Sequence, residues 1–158
     1  MKMSDKTLAM RVLEGRKVDY EVHTYPEQER DAEKIAEWLE IPADRVFKTL
    51  VAVREPGKPI LVMVPGSHQL DLKKLAKEVG EKKIKLASHV QAEALTGLQV
   101  GGISPLALMN KRFVMLLDRS AAVYDTICIS AGKKGLNIEL NPAELMRITS
   151  AQYVDVIS

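Results

Sequence analysis

Three places along the chain carry residues whose type and spacing could do chemistry. The first is Lys48, inside the apolar run "VFKTLVAV" (Val46–Val53). Alternation puts Val46, Lys48, Leu50 and Ala52 on one face of a strand and Phe47, Thr49, Val51 and Val53 on the other. An amine between two apolar neighbours is costly if it is buried without a partner. Two arrangements avoid that cost. Lys48 is either an edge-strand lysine whose stem covers apolar surface while its amine reaches water, or an amine in a cleft that holds an anion such as a phosphate or carboxylate.

The second place is "VGGISPL" (Val100–Leu106). Two glycines and a proline can bring backbone close to a ligand and expose N–H groups; an ordinary turn would use the same residues. The third is "SAGKKGLNIEL" (Ser130–Leu140), where Gly132 and Gly135 bracket Lys133 and Lys134 between two strands. That is either a solvated hairpin tip or a basic tip that meets a phosphate backbone. A further basic stretch, Leu72–Lys85, holds six lysines against two glutamates and fits the polar face of a helix and the turn after it.

Other chemistries lack their residues. His23, His68 and His89 are far apart and without metal-ligand spacing. The single cysteine, Cys128, alternates with Ile127 and Ile129 as a small core residue would, and one cysteine makes neither an internal disulfide nor a cysteine zinc cluster. A cysteine–histidine dyad stays open at this level. There is no Gly-x-Ser-x-Gly elbow, no Walker loop and no Gly-x-Gly-x-x-Gly after a strand. No metal and no cofactor is expected.

The elements that must position these residues alternate helix and strand. Helices are predicted over Thr7–Glu14, Arg30–Glu40, Gln69–Gly80, from the capping box at Ser88 to Gly97, and from Asn141-Pro142 onward. Strands are predicted at Val18–Tyr25, Val46–Val53, Pro59–Val64, Lys82–Ala87, Arg112–Asp118, Asp125–Ser130 and Leu136–Leu140, with a hairpin turn at Glu55–Lys58. The pattern predicts one mixed α/β domain over residues 1–158, and its hairpins argue against a purely parallel sheet.

Composition bounds the function. Apolar residues make up 46% of 158, enough for a globular core, and net charge is +2, too balanced for a protein that coats nucleic acid non-specifically. The start, "MKMSDKTLAM", lacks the apolar core of a signal peptide, and no apolar run approaches a membrane span. A cytoplasmic protein is expected, with neither membrane nor DNA as partner.

"RVFKTL", "QLDLKKLAK", "VGGISPL" and "GKKGLNIEL" stand in the order and at the intervals of the YbaK/EbsC family, and the chain resembles that family almost end to end. These are bacterial aminoacyl-tRNA deacylases related to the editing domain of many prolyl-tRNA synthetases, and the branch that clears Cys-tRNA(Pro) is the most similar. The resemblance implies a mixed, strongly curved, barrel-like sheet flanked by helices. It implies a mischarged aminoacyl-tRNA as substrate, touched at its acceptor end, Cys-tRNA(Cys) as a further one, and prolyl-tRNA synthetase as a partner. It places Lys48 near the 3′-terminal adenosine and its phosphate, as an anion-holding group. Gly101 and Gly102 would offer backbone N–H groups to the ester oxygen or the cysteine amine. Tyr25, Thr49, Ile103, Ser104, Pro105 and Asn137 would line the substrate's cleft, and Lys133, Lys134 and Lys73 would meet the tRNA. The implied reaction uses the substrate's own thiol, so no protein nucleophile is required. Relatives often carry Asp at the position of Asn137, which keeps the hydrogen-bonding shape without the charge. The same fold editing alanine on tRNA(Pro), and a non-catalytic tRNA-binding module, are the alternatives.

Overall fold

In the computed structural model, which describes residues 6–158, the hairpin expected around Glu55–Lys58 forms. Strands β2 (Phe47–Val53) and β3 (Ile60–Pro65) pair antiparallel, from Phe47 opposite Pro65 to Ala52 opposite Ile60. All of β3 is buried, so its unbroken apolar run marks a strand covered on both faces. It is the centre of a five-stranded sheet. On one side lie β5 (Val114–Asp118) and β8 (Gln152–Val154), both parallel to their neighbours. On the other lie β2 and then β4 (Lys85–Leu86). A second, antiparallel sheet runs β1 (Glu21–Thr24), β7 (Leu136–Leu140), β6 (Ile127–Ser130). Met1–Asp5, the first half of the N-terminal stretch read above, lie outside the described residues.

The barrel-like sheet is therefore two sheets, and it does not close. Among the described residues a single parallel bridge, Val46 to Cys128, links their backbones. Past that bridge β2 and β6 do not pair among the described residues, and β4 pairs with β2 only at Ala52 and Val53. Residues 48–50 of β2 are left with no strand on that edge among the described residues. The Val51 carbonyl accepts from Ala87 N–H on this edge, so the alternation of an antiparallel strand turns the Thr49 N–H and carbonyl the same way.

Helix ends follow the local chemistry. Asp31 caps α2 (Ala32–Leu39), and Asp71 caps α3 (Leu72–Val79), accepting from Lys73 and Lys74 N–H. Ser88 caps α4 (His89–Thr96), which ends at left-handed Gly97. Asn141 caps α5 (Pro142–Thr149), and Thr7 caps α1 (Leu8–Gly15). Helices α1 and α5 pack with Ile127, Ile129, Ile138 and Leu140 in the main core. Leu75 of α3 packs on Ala52, Ile60, Val62 and Val64. Ile35 and Ala36 of α2 pack on Val46, Tyr25 and Cys128. Along one face of β2, α2 thus covers Val46 and α3 covers Leu50 and Ala52. Lys48, between Val46 and Leu50 on the same face, is half-buried and borders a cavity, which is how an amine can stand in an apolar strand.

Candidate active site

The open edge of β2 faces a cavity of about 140 Å³. At about 30 Å³ of liquid per water, that is room for about five waters, the scale of one small amino acid. Lys48, Thr49 and Leu50 form one wall, and Ala32 and Ile35 at the start of α2 form another. Tyr25, Ser130 and Asn137 close it from the second sheet, and Val100, Gly101 and Ile103 from the loop after α4. Ser130 and Asn137 are cross-strand partners and so project to the same face.

The charge of this cavity is one-sided. Lys48 and Arg30 line it, and no carboxylate, imidazole or thiol does. Among the described residues neither cation has an ion-pair partner. The Thr49 hydroxyl oxygen is buried without a hydrogen-bond partner, a free polar group beside the cavity. Burial holds the Tyr25 phenol above its usual range, with the Gly135 backbone opposing, so it is a neutral hydroxyl at physiological pH. The arrangement can accept an anion beside a small neutral or ammonium-bearing group.

The loop and the basic turn are built against each other. A Cβ on Gly102 would stand 3.0 Å from the Lys134 nitrogen and 3.1 Å from the Lys133 Cα. Gly101 is left-handed (φ 95°), with side-chain carbons of Lys134 and Arg30 flanking it. The Gly102 N–H donates to the Gln99 carbonyl at 2.8 Å, so the backbone donor expected of this pair falls to Gly101 alone. Ser104 is fully buried and accepts from Leu106 N–H at 3.3 Å, and buried Pro105 opens a short 3-10 turn. These two support the loop from behind instead of lining the cavity. The Tyr25 N–H donates to the Gly135 carbonyl at 3.0 Å, tying the turn to the end of β1.

The structure brings Lys48, Thr49, Tyr25, Gly101, Ile103 and Asn137 around one cavity, with Lys133 and Lys134 on the turn above Gly102. Lys73 is elsewhere, on the rim of a second groove beside α3. Sequence reading passed over Arg30 and Ser130. Arg30 sits in a polar loop before α2 with no pattern to mark it. Ser130 could have been found from the register that the Gly-Lys-Lys-Gly turn imposes on Asn137.

Cys128 stands outside the cavity. It is fully buried, and burial with the nearby Glu139 carboxylate pushes its thiol up to about 12, against the opposing pull of Arg45. His23, Cys128 and Glu139 place three ligand-type atoms within 4.8 Å of one another. Glu139 is already engaged, however. Its carboxylate accepts from the Thr126 hydroxyl, meets His23 Nε2 at 2.7 Å and accepts from Arg45 Nη2 at 3.0 Å. An arriving cation would face the Arg45 guanidinium. The group fits an ion-pair network that ties the second sheet to the turn before β2.

The chain belongs to the aminoacyl-tRNA editing domain family, whose model matches residues 26–148. It is 41% identical over 157 residues to EbsC of Enterococcus faecalis, a protein named for a proposed Cys-tRNA(Pro)/Cys-tRNA(Cys) deacylase activity; the match covers 98% of this chain and 95% of that one. It is 26% identical over 125 residues to the proline–tRNA ligase of Bacillus cereus, covering 78% of this chain and 21% of the ligase. A solved structure described as a proposed trans-editing enzyme for prolyl-tRNA synthetase matches at a TM-score of 0.82 and 28% identity, over 97% of this chain and 98% of the other. The structure of hypothetical protein APE2540 matches at a TM-score of 0.88 and 24% identity, over 96% and 100%, and shows the fold alone. No helix among the described residues is long and apolar enough to cross a membrane.

Proposed function

We propose that this chain is a free-standing deacylase that clears cysteine from mischarged tRNA(Pro), and from Cys-tRNA(Cys), in the cytoplasm. The observation that carries the reading is the cavity itself. It has the size of one small amino acid, two cations without an ion-pair partner among the described residues, and no carboxylate, imidazole or thiol in its lining. A site of that kind can hold the 3′-terminal phosphate and the esterified amino acid, and it leaves the nucleophile to the substrate. Membership of the editing family and the likeness to EbsC support the same substrate class.

In this reading Lys48 and Arg30 hold the terminal phosphate. The free Thr49 hydroxyl and the Asn137 amide meet the amino acid's polar atoms, and the Gly101 N–H faces the ester oxygen. The substrate's thiolate attacks its own carbonyl carbon. A C–S bond forms, the C–O bond to the ribose breaks, and the ribose oxygen leaves as an alkoxide that takes a proton from water. The strained thiolactone then adds water to give free cysteine. The protein supplies orientation and charge stabilisation, effects large enough to carry a reaction without a protein nucleophile. Lys133 and Lys134, on the turn beside Gly102, would meet phosphates near the 3′ end, and prolyl-tRNA synthetase would be the partner that delivers tRNA(Pro). The test is incubation of the pure protein with Cys-, Ala-, Ser- and Pro-tRNA(Pro). Release of cysteine alone is expected; an intact ester in every case would leave a tRNA-binding module without catalysis.

A further inference from the structure

A second concavity, larger than the cavity at Lys48, lies at the other end of β2. It is a groove of about 630 Å³ between α3 and the segment leading into β4. Its floor is apolar, with Leu72, Ala76 and Ile84. Its rim carries Lys73, Lys82, Lys83 and Lys85, and none of the four has an acidic partner among the described residues. The one arginine there, Arg54, is tied to Glu81 at 3.3 Å, and Glu55 is the one acidic residue in the lining. A chain whose net charge is only +2 has gathered four lysines around one groove.

The groove and the cavity both border β2. Val53, in the groove, lies five residues beyond Lys48 on β2, about 17 Å at a strand's rise per residue. At about 3.4 Å per stacked nucleotide, that separation is about five nucleotides. No aromatic side chain lines the groove, so it has no platform for stacking bases. Lysines act on phosphates as point charges and carry no base readout.

We propose that this groove docks the acceptor-stem phosphate backbone of the tRNA whose 3′ end occupies the cavity. The proposal rests on the deacylase reading for the identity of the RNA. Lys73 then meets RNA at the stem, far from the ester, and the basic Leu72–Lys85 stretch is a docking surface as well as a solvated helix face.

The test is the variant K82Q/K83Q/K85Q, three exposed positions, with K82Q/K83Q as a second variant should the change in β4 disturb folding. Two readings are compared with the wild type. The first is binding of uncharged tRNA against salt. Each phosphate contact contributes about 0.7–0.9 to the log–log slope, so the triple variant should lose about 2–3 and the double variant about 1.5–2. The second is the ratio of kcat/KM on Cys-tRNA(Pro) to kcat/KM on the cysteinyl ester of a CCA oligonucleotide, which does not reach the groove. That ratio should fall about tenfold or more. An unchanged slope, or an equal loss on both esters, would overturn the groove as a docking surface. So would wild-type inhibition by inorganic phosphate that the variant lacks with its tRNA slope intact, which would assign a small-anion site. Binding of uncharged tRNA needs no catalysis. Failure to cleave any ester would therefore overturn the deacylase reading while the salt slope still judged the groove.

Discussion

Gly102 lies directly beneath the Lys133–Lys134 backbone: a Cβ at this position would stand 3.0 Å from the Lys134 nitrogen. The contact explains why two glycine-bearing segments, weak signals apart, act as one structure. The turn at Lys133-Lys134 sits on the loop at Gly101-Gly102, and Gly135 ties the same turn to Tyr25. Gly102→Ala should therefore force the turn away from the loop. Overpacking of this kind costs about 1–3 kcal/mol, and deacylation should fall with it. Gly15, at the end of α1, has nothing within 4 Å of its would-be Cβ. Gly15→Ala should be neutral or stabilising by up to about 1 kcal/mol. Thermal unfolding of both variants checks the contrast, and equal melting temperatures would refute it.

Lys48→Ala should lower deacylation about ten- to a hundredfold, the range of a charge-assisted contact worth about 1.5–3 kcal/mol. Stability should change by less than about 0.5 kcal/mol, because no ion-pair partner among the described residues is stranded by its removal. Arg30→Ala should act in the same direction. Near-normal turnover by a folded Lys48→Ala protein would remove Lys48 from the site.

Much of this arrangement was legible in the sequence, and the missing parts share a cause. The strand that carries Lys48, the hairpin after it and the caps at Ser88 and Asn141 are local patterns, and they form. Strand β1 is shorter than the alternation suggests, because Val18 turns into the main core after left-handed Lys17. Strand β4 keeps only Lys85 and Leu86, the residues that reach β2. Strand β8 pairs in parallel with β5, more than thirty residues earlier, and three residues give no readable period. Arg30 reaches the cavity only because α2 packs over Val46. The gap in the sheet, which opens the cavity, is a failure of pairing and leaves no mark on any one segment.

Glu139 gives the fold a pH dependence. Burial pushes its carboxyl up, but the Thr126 hydroxyl, His23 and Arg45 outweigh that, and the net shift is downward. A carboxyl lowered in the folded state contributes stability above its unfolded pKa, about 4.3, and loses it as pH falls through the folded value. Glu139→Gln should melt several degrees lower at pH 7, with the difference from wild type closing below about pH 4. Melting temperature against pH for both proteins reads this directly. A gap that stays constant with pH would mean the charge of Glu139 does nothing for stability.

Cys128→Ser should leave deacylation within a few-fold of wild type. Its thiol is buried outside the cavity and raised to about 12, so almost none is thiolate at pH 7. The rate should instead rise with pH and level off near the substrate thiol's own pKa, about 8.5. Loss of turnover in a variant with an unchanged melting temperature would point to a protein nucleophile.

The substrate's side chain separates the readings most sharply. If its thiol is the nucleophile, Cys-tRNA should be cleaved and Ala- and Ser-tRNA nearly ignored. Alanine has no nucleophile at that carbon. Serine has a hydroxyl in the same place, with a pKa so high that almost none is ionised near neutral pH. Cysteine supplies a few per cent of thiolate at pH 7 and is intrinsically the better nucleophile. A cavity of about 140 Å³ that admits cysteine cannot easily exclude serine by size. Rejection of serine would then come from chemistry, whereas a size filter would pass both. The measurement is the deacylation rate of Cys-, Ser- and Ala-tRNA(Pro), with Cys-tRNA capped at sulfur as a control that should be inert. Comparable rates on Ala-tRNA would discard the thiol-assisted route, since water would then be the nucleophile. Lys48, Thr49 and the Gly101 N–H would have to orient that water, and the chain would be an alanine-editing enzyme.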